Sequence, residues 1–463
     1  MIEIYNPSSF QTGAELVYTY RGFRALEDKI KGELKSKGTQ DDFEKKRLGG
    51  EYDLVDFDIA GDVSRFLSVR AQERLARYPI VSLQQGISRL LNLRASFDKT
   101  SLDGEFLIKR VEATIVYLQV LSGRKIPTQE YIETTLGLDA NSKALSPISE
   151  EEIAAFWKDQ ILHRFSLCSD LDLTTDNREV WNKYVRSNRE VPTRSAFRKM
   201  EEILIPIMQK NLKIQERPNY RIISADVPAY WINWTTYDQY GFLLKINTNE
   251  SIKSRFYKGV VERLFIHEVL THAYEAHFYS ENIRLGKINP GYGILTVPGP
   301  EQHGEGKANT LAYFIPELYE ALSPEAKFAL DYRVYEGLVQ RNAHLYANKI
   351  SDFKGDVKDY LMQNLPSMDE KRAETFIKNV TEDPRDKVYR LTYGFAYEYW
   401  QYAKRLNPKP KQPTKEEIDK RILFVLKSFE RPRTFSQTED LVQEIESISE
   451  IRQNENPSLL VPF

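Results

Sequence analysis

Two histidines and a glutamate lie close together at residues 267–272, which read HEVLTH. Hydrolysis at a zinc ion needs imidazoles or carboxylates as ligands, an open position for water, and a nearby carboxylate that takes the proton of that water. A His-Glu dipeptide on a helix offers one ligand and one such base. The string is therefore a candidate zinc site.

The spacing of the two histidines is unusual for such a site. In H-E-x-x-H the histidines lie about 40° apart around a helix, whereas a separation of five residues places them roughly 140° apart. A one-residue π-bulge, a feature frequent at functional sites, would bring them back together. We therefore predict a local helix distortion between His267 and His272. The alternative is an ordinary helix in which both histidines bond to core carbonyls.

A candidate third ligand follows in the string HGEGKA at residues 303–308, after a Pro/Gly loop at 289–302. A carboxylate at a helix start is the usual third ligand of a two-histidine helix, so Glu305 is the first choice. His303 competes with it, and Glu301 is a weaker candidate. Taken alone, Glu305 would also suit the positive end of a helix dipole. His277 is expected to point away from the site and to be structural.

These strings resemble those of the microtubule-associated tyrosine carboxypeptidases (MATCAP) and of the bacterial proteins named for a QEGLA motif. The family pattern is H-E-[IV]-x-T-H followed by E-E-G-L-A; this chain has HEVLTH and GEGKA, preceded by FLLKINTN. The resemblance covers roughly residues 220–400. It implies a zinc metallopeptidase of the gluzincin type, in which His267, His272 and Glu305 hold zinc and Glu268 is the general base.

The chain departs from the family pattern at identifiable positions. The segment AYEA at 273–276 stands where the family usually has Leu-Arg, and Lys307 replaces the Leu of EGLA. The segment RDKVY at 385–389 resembles the family's K-D-x-x-Y, with Arg in place of Lys and two extra residues before Gly394. Metal binding is expected to survive these changes.

Substrate-binding residues are less sharply indicated. A tetrahedral oxyanion needs a donor such as Tyr, His or Arg aimed at it, and Tyr389 is the candidate because of its motif context. The same tyrosine begins a stripe with Tyr393 and Tyr397 that is also typical of core packing. The strand predicted at 240–247 could pair with an extended peptide, or could simply face the core. A carboxypeptidase must also hold a terminal carboxylate with Arg or Lys, for which the candidates are Lys245, Arg284, Lys307, Arg385 and Arg390.

The elements that must position these residues are mostly helices. Apolar residues recur at helical spacing over 14–36, 63–78 and 90–122, and capping-box pairs mark two helix starts, Ser149 with Glu152 and Thr414 with Glu417. Residues 220–234 and 240–247, rich in β-branched and aromatic residues, predict a small antiparallel sheet. We expect a mainly α fold whose regions are a helical N-terminal region at 1–215, a zincin-like metallopeptidase core at 216–406, and a Pro-rich linker with a C-terminal helical segment at 407–463.

Composition limits the class of protein further. Of 463 residues, 41% are hydrophobic, which excludes global disorder. The net charge of −2 gives no drive toward nucleic acid or anionic lipid. The single cysteine, Cys168, excludes a disulfide framework. Because no signal peptide and no bilayer-length apolar stretch is found, we expect a cytoplasmic protein with no nucleic-acid or membrane partner.

The favoured function is a zinc-dependent carboxypeptidase that removes C-terminal residues, aromatic ones among them, from a peptide or protein. Chemistry would proceed by attack of water assisted by Glu268. One alternative is a catalytically inactive metal-binding regulatory or interaction protein of the same fold. Another is a metal-dependent hydrolase of non-peptide amides.

Overall fold

The computed structural model describes residues 7–35, 56–59, 73, 79–139, 142–190, 192–227, 233–238, 241–249, 255–406 and 413–454. Within these ranges the protein is mainly helical, with a three-stranded sheet and a separate strand pair. The predicted fold class, mainly α with a small sheet, is confirmed. Across the same ranges, no helix has both the length and the apolar composition needed to span a bilayer.

Helices occupy most of the first half of the chain. The capping box predicted for Ser149 and Glu152 is present at the start of the helix Glu150–Phe156. The helix predicted at 63–78 lies outside the described residues, apart from residue 73. The helices are α1 (Pro7–Lys35), α2 (Leu83–Ser96), α3 (Leu102–Leu121), α4 (Thr128–Thr135), α5 (Glu150–Phe156, continued by a π-helical stretch Trp157–Leu162 and a last turn His163–Ser166), α6 (Arg178–Ser187) and α7 (Arg194–Leu212).

Five short strands among the described residues form two sheets. The strands are β1 (Asp56–Ile59), β2 (Tyr220–Ala225), β3 (Asn233–Asp238), β4 (Gly241–Asn247) and β5 (Ile294–Val297). β1 pairs antiparallel with β5, and the other three have the order β2-β4-β3.

The three-stranded sheet is mixed, because β3 runs antiparallel to β4 and β2 runs parallel to it. The prediction of a wholly antiparallel sheet was therefore wrong, as was that of one strand over 220–234. Apolar alternation identifies a strand but carries no information about the direction of its partner. β4 is central and has neighbours on both edges, so it cannot pair with a substrate peptide as suggested above. Its Phe242, Leu244 and Ile246 are buried instead.

The second half of the chain carries the histidine string and the helices around it. The string lies on α8, which has an α-helical start (Val260–Leu264), a π-helical middle (Phe265–Ala273) and an α-helical end (Tyr274–Arg284). The capping box predicted for Thr414 and Glu417 is present at the start of the helix Lys415–Glu430. The remaining helices are α9 (Gly304–Phe314), α10 (Pro316–Glu320), α11 (Pro324–Ala347), α12 (Val357–Asn364), α13 (Glu370–Glu382), α14 (Pro384–Thr392), α15 (Ala396–Arg405), α16 (Lys415–Glu430) and α17 (Phe435–Asn454).

One large hydrophobic core joins these helices. It runs from Ile153 in α5 through Phe265 in α8 to Ile445 in α17, and it crosses the residues 215 and 406 at which region boundaries were predicted. A second cluster packs α1, α2 and α3 against the end of α8 and the loop that follows it. Helices α5–α7 and the C-terminal helices thus pack around the same core as the helices that carry HEVLTH and GEGKA.

Two glycines allow the central helices to approach each other. Gly259, which precedes α8, has a φ of 88°, and a Cβ there would lie 2.3 Å from the backbone of Glu325. Gly306, in the string GEGKA, lies against the junction before α15, where a Cβ would be 2.5 Å from the carbonyl carbon of Phe395. Backbone atoms at that distance must shift, so a side chain at 306 would push α9, and with it Glu305, away from its neighbours.

We expect Gly306→Ala to destabilise the protein by about 1–3 kcal/mol, the usual cost of overpacking a close contact. The matched control is Gly304→Ala in the same helical turn, where an added Cβ meets no atom within 4 Å among the described residues. Alanine at 304 should leave stability unchanged or raise it slightly. Chemical denaturation in the presence of a chelator measures both variants, and equal midpoints for the two would contradict the packing described here.

Candidate metal centre

The histidine string lies in the π-helical part of α8, which confirms the predicted distortion. In such a stretch hydrogen bonds run from residue i to i+5, so residues five apart come to lie one above the other. The hydroxyl of Thr271 supports this local geometry by donating to the carbonyl of Ile266, five residues back, at 3.0 Å. As a result the rings of His267 and His272 have centroids 4.9 Å apart and lie nearly perpendicular.

The carboxylate of Glu305 lies between the two histidines. Its Oε2 is 3.3 Å from Nε2 of His267, and its Oε1 is 3.6 Å from Nε2 of His272. The side chain reaches this position from the first turn of α9, which packs directly across the π-helical stretch. The structure therefore brings together the three residues named from the sequence as ligands.

Glu268 completes the cluster as a second carboxylate. Its Oε1 is 3.6 Å from Nε2 of His267, and ligand atoms of His267, Glu268 and His272 all lie within 4.8 Å of one another. Two carboxylates could therefore serve as the third ligand. Glu305 is the better placed, because it faces the Nε2 atoms of both imidazoles, at distances no longer than the 3.6 Å between Glu268 and His267. Glu268 then lies beside the two histidines without being a ligand, which is the position of the carboxylate that takes the proton of water in zinc hydrolases.

The polar atoms of this cluster have the character of metal ligands. Nε2 of His272 and Oε2 of Glu305 are buried, and no hydrogen-bond partner for either lies within the described ranges. Ligand atoms about 2.1 Å from a tetrahedral zinc ion lie about 3.4 Å from each other, close to the 3.3 and 3.6 Å found here. Two imidazoles and a carboxylate are a donor set that zinc accepts. The side chain of His272 is 23% exposed, so solvent can reach the centre.

The electrostatics of the cluster favour a cation. Burial opposes protonation of His272, but its contact with Glu275 and the charges of Glu305, Glu275 and Glu268 raise its pKa to about 9. Burial likewise opposes ionisation of Glu305, yet the contact with His267 and the charge of His272 hold the pKa of Glu305 below its ordinary value. Anionic carboxylates around imidazoles are an environment that stabilises a proton or a metal ion.

The competing candidates for the third ligand are engaged elsewhere. Nε2 of His303 is 2.9 Å from the carbonyl oxygen of Arg433, which can only accept, so Nε2 donates and Nδ1 accepts from the hydroxyl of Tyr399 at 2.9 Å. Burial lowers the pKa of His303 to about 4, so the ring is neutral with both nitrogens used. Glu301 pairs at 2.8 Å with the buried Arg110.

Tyr389 lies near the centre together with Tyr393. Burial raises the pKa of Tyr389 well above 10, and the charge of Glu305 raises it further, so the phenol is neutral. Tyr393 donates to the Tyr389 hydroxyl oxygen at 2.6 Å, which leaves the proton of Tyr389 available to another acceptor. Asp386, in the same segment, holds α14 to α13 by accepting from Asn379 at 2.9 Å.

Two arginines near the centre were not predicted from the sequence. Arg333 stacks over the ring of Tyr393 at 4.1 Å and contributes to the low pKa of Glu305. Arg263 contacts Asn309, whose amide donates to the Glu305 carbonyl at 2.8 Å. Burial and then the neighbouring charge of Arg333 lower the pKa of Arg263, so the two cations lie close together. Arg263 could have been predicted from its spacing, since it lies four residues before His267 on the same helix. No sequence pattern indicates Arg333.

The predicted carboxylate-binding candidates are placed differently. Arg284 is exposed and pairs with Glu281, and Arg390 contacts Asp386 at 3.4 Å. Lys307 is buried and pairs with Glu275. Lys245 lies on the central strand β4, and Arg385 on the first turn of α14.

Comparisons with known proteins leave the family open. No protein-family model and no curated protein matches this chain. A solved structure from Colwellia psychrerythraea described as a "putative lipoprotein" is similar, with 12% sequence identity, coverage of 81% of this chain and 70% of that one, and a TM-score of 0.46. A similarity of this size supports no inference about fold family or function.

We expect protein purified without added metal to carry about one zinc per chain, as a three-ligand site would. His272→Ala should lose that zinc, because the remaining imidazole and carboxylate form an incomplete ligand set. His277→Ala, on the same helix and partly buried, is the matched control and should retain it. Elemental analysis by mass spectrometry gives the stoichiometry. Equal zinc content in both variants would show that His272 is not a ligand.

Proposed function

We propose that this chain is a zinc-dependent metallopeptidase of the carboxypeptidase type that acts on the C-terminus of a peptide or protein. The observation that carries the proposal is the position of the Glu305 carboxylate, 3.3 and 3.6 Å from the Nε2 atoms of His267 and His272. The resemblance of HEVLTH and GEGKA to the strings of the MATCAP and QEGLA proteins supports the same class.

Zinc would be held by His267, His272 and Glu305. When bound, it supplies a Lewis acid that polarises a carbonyl and lowers the pKa of water toward about 7. The protein contributes the arrangement of ligands around an accessible position. His272, the most exposed of the three, marks the side from which a substrate would enter.

Glu268 is the proposed general base. Its side chain is 5% exposed and lies 3.6 Å from His267, so it neighbours the ligands while Glu305 occupies the position between the histidines. In hydrolysis its carboxylate takes a proton from the attacking water and passes that proton to the leaving amine. Burial among ligands keeps the carboxylate aimed at one place, which is what an efficient proton transfer requires.

Tyr389 is the proposed oxyanion donor. A neutral phenol whose own oxygen already accepts from Tyr393 has its proton free to donate to the developing negative charge. Such a donor acts most strongly in a buried, water-poor setting. The buried surroundings that raise the pKa of Tyr389 provide this setting.

The substrate's terminal carboxylate would be bound by Arg333 with Arg263 beside it. Arg333 bonds Glu336 through Nη1, and its other guanidinium N–H groups make no hydrogen bond in the part of the chain that the structure describes. A guanidinium can hold a carboxylate with two parallel hydrogen bonds. Two cations close to the centre favour a chain end over an internal peptide bond, which lacks that charge. The cytoplasmic location and the absence of a nucleic-acid partner stay predictions from the sequence.

Glu268→Gln should strongly reduce turnover while zinc is retained, since the amide cannot accept the proton of water. A general base contributes about 10²- to 10⁴-fold to the rate, so a loss in kcat of that size is expected. Glu281→Gln, on the exposed end of the same helix, serves as the control. The assay is release of C-terminal residues from a peptide library, with zinc measured in parallel. Full activity in Glu268→Gln would overturn the assignment, and zinc without turnover by the wild type would favour the inactive metal-binding alternative.

Arg333→Gln should raise KM for peptides with a free C-terminus by roughly 10- to 100-fold, because a charge-assisted hydrogen bond is lost. The value of kcat should change less. The exposed Arg284→Gln is the control variant, and C-terminally amidated peptides are the control substrates. Wild-type cleavage of amidated and free peptides at the same rate would argue for an endopeptidase.

A further inference from the structure

Two departures from the family strings meet in space. Glu275 lies in the segment that stands where the family usually has Leu-Arg, and Lys307 replaces the Leu of EGLA. Although they lie on different helices, α8 and α9, the ammonium of Lys307 forms an ion pair with Oε1 of Glu275. Both side chains are largely buried, with 7% and 11% of their surface exposed. A buried pair of this kind is costly to break from one side only.

The second oxygen of Glu275 faces the candidate metal centre. Oε2 lies 3.2 Å from Nδ1 of His272, the ring nitrogen that points away from Glu305. When Nδ1 carries the proton and donates to Glu275, the lone pair of Nε2 is directed at the centre. The carboxylate thus selects the tautomer and the ring orientation that a metal ligand needs.

Lys307 is itself held in place by α16. Its Nζ lies 3.4 Å from the carbonyl oxygen of Ser428 and 5.5 Å from the ring centroid of Phe429. Lys307 follows Glu305 by two residues on α9. The Lys307–Glu275 pair therefore ties the helix that carries one proposed ligand to the side chain that orients another.

We propose that the Lys307–Glu275 ion pair is a positioning unit for the metal centre: Glu275 orients His272, and Lys307 compensates the buried charge of Glu275. The proposal rests on the proposed zinc site. It accounts for the two departures as one coupled change, in which the acid on α8 is matched by the base on α9. Neither residue contacts substrate or the reacting atoms, so both act through His272.

The decisive comparison uses two double variants that leave no buried charge unpaired. Glu275→Gln with Lys307→Met keeps an oxygen that can accept from Nδ1 of His272, whereas Glu275→Met with Lys307→Met removes it. We expect the first to bind zinc within about threefold of the wild type. The second should bind roughly 10- to 100-fold more weakly, the usual effect of losing such a partner. The single variant Glu275→Ala should resemble the second, and Glu281→Ala on the same helix should leave affinity unchanged.

Zinc affinity is measured by competition with a chromophoric chelator, and the visible spectrum of the cobalt-substituted protein reports ligand geometry independently of activity. Thermal melting of the chelator-treated proteins identifies any variant that fails to fold. Equal zinc affinity and equal cobalt spectra for the two folded double variants would overturn the positioning role and leave the proposed function intact. A wild type that binds no zinc would overturn both. Zinc affinity close to that of the wild type in the double variant with Glu275→Gln, but not in the one with Glu275→Met, would support the proposal.

Discussion

The candidate centre depends on a π-helical stretch, in which each backbone hydrogen bond spans five residues instead of the four of an α-helix. Only in the π-helical stretch Phe265–Ala273 do residues 267 and 272 share a face. A π-helix is rare, so its surroundings must stabilise it. Here Phe265, Ile266, Val269 and Leu270 are fully buried in the main core. The apolar side chains thus hold the stretch in place while the polar ones are turned toward α9.

Placing so many ionisable groups together has its own cost. Glu268, Glu275 and Glu305 bring three negative charges to the cluster. Lys307, Arg263 and Arg333 offset them only in part, since Arg333 also pairs with Glu336. Uncompensated buried charge is strongly unfavourable. The raised pKa of His272 reflects a demand for positive charge at this place, which the proposed metal ion would meet. The electrostatics and the ligand geometry of the cluster therefore both suit the proposed metal ion.

Some contacts of this arrangement follow from local spacing in the sequence, and others do not. The separation of five between His267 and His272 conflicts with a regular helix, and that conflict was enough to predict the distortion. The sequence favoured Glu305 as the third ligand but could not exclude His303. The two partners of His303 are the hydroxyl of Tyr399 and the carbonyl of Arg433, which lie 96 and 130 residues away in the chain. Contacts at that separation are set by how helices pack, which local pattern does not encode.

The same limit explains the other differences. β2 runs parallel to β4. The alternation of apolar and polar residues along a strand does not show which strand it pairs with or in which direction. The position of Arg333 near Tyr393 depends on how α11 packs against the turn at Tyr393–Phe395 that follows α14. Glu275, by contrast, is three residues after His272 on the same helix, so its contact could have been read from the spacing alone. Local constraints were predictable, and contacts between distant helices were not, apart from that of Glu305 with the two histidines, which the family resemblance implied.

The geometry of Glu305 is in turn set by parts of the chain far from it. Just before α9, Glu301 is held by Arg110 from α3 at 2.8 Å, and His303 is held by the carbonyl of Arg433 after α16. Just after Glu305, Lys307 is held by the carbonyl of Ser428. The first turn of α9 is therefore fixed from both sides by helices of the N-terminal and C-terminal regions. A short segment bearing one carboxylate could not keep its position between two imidazoles without them, which gives these flanking helices a direct role in the centre.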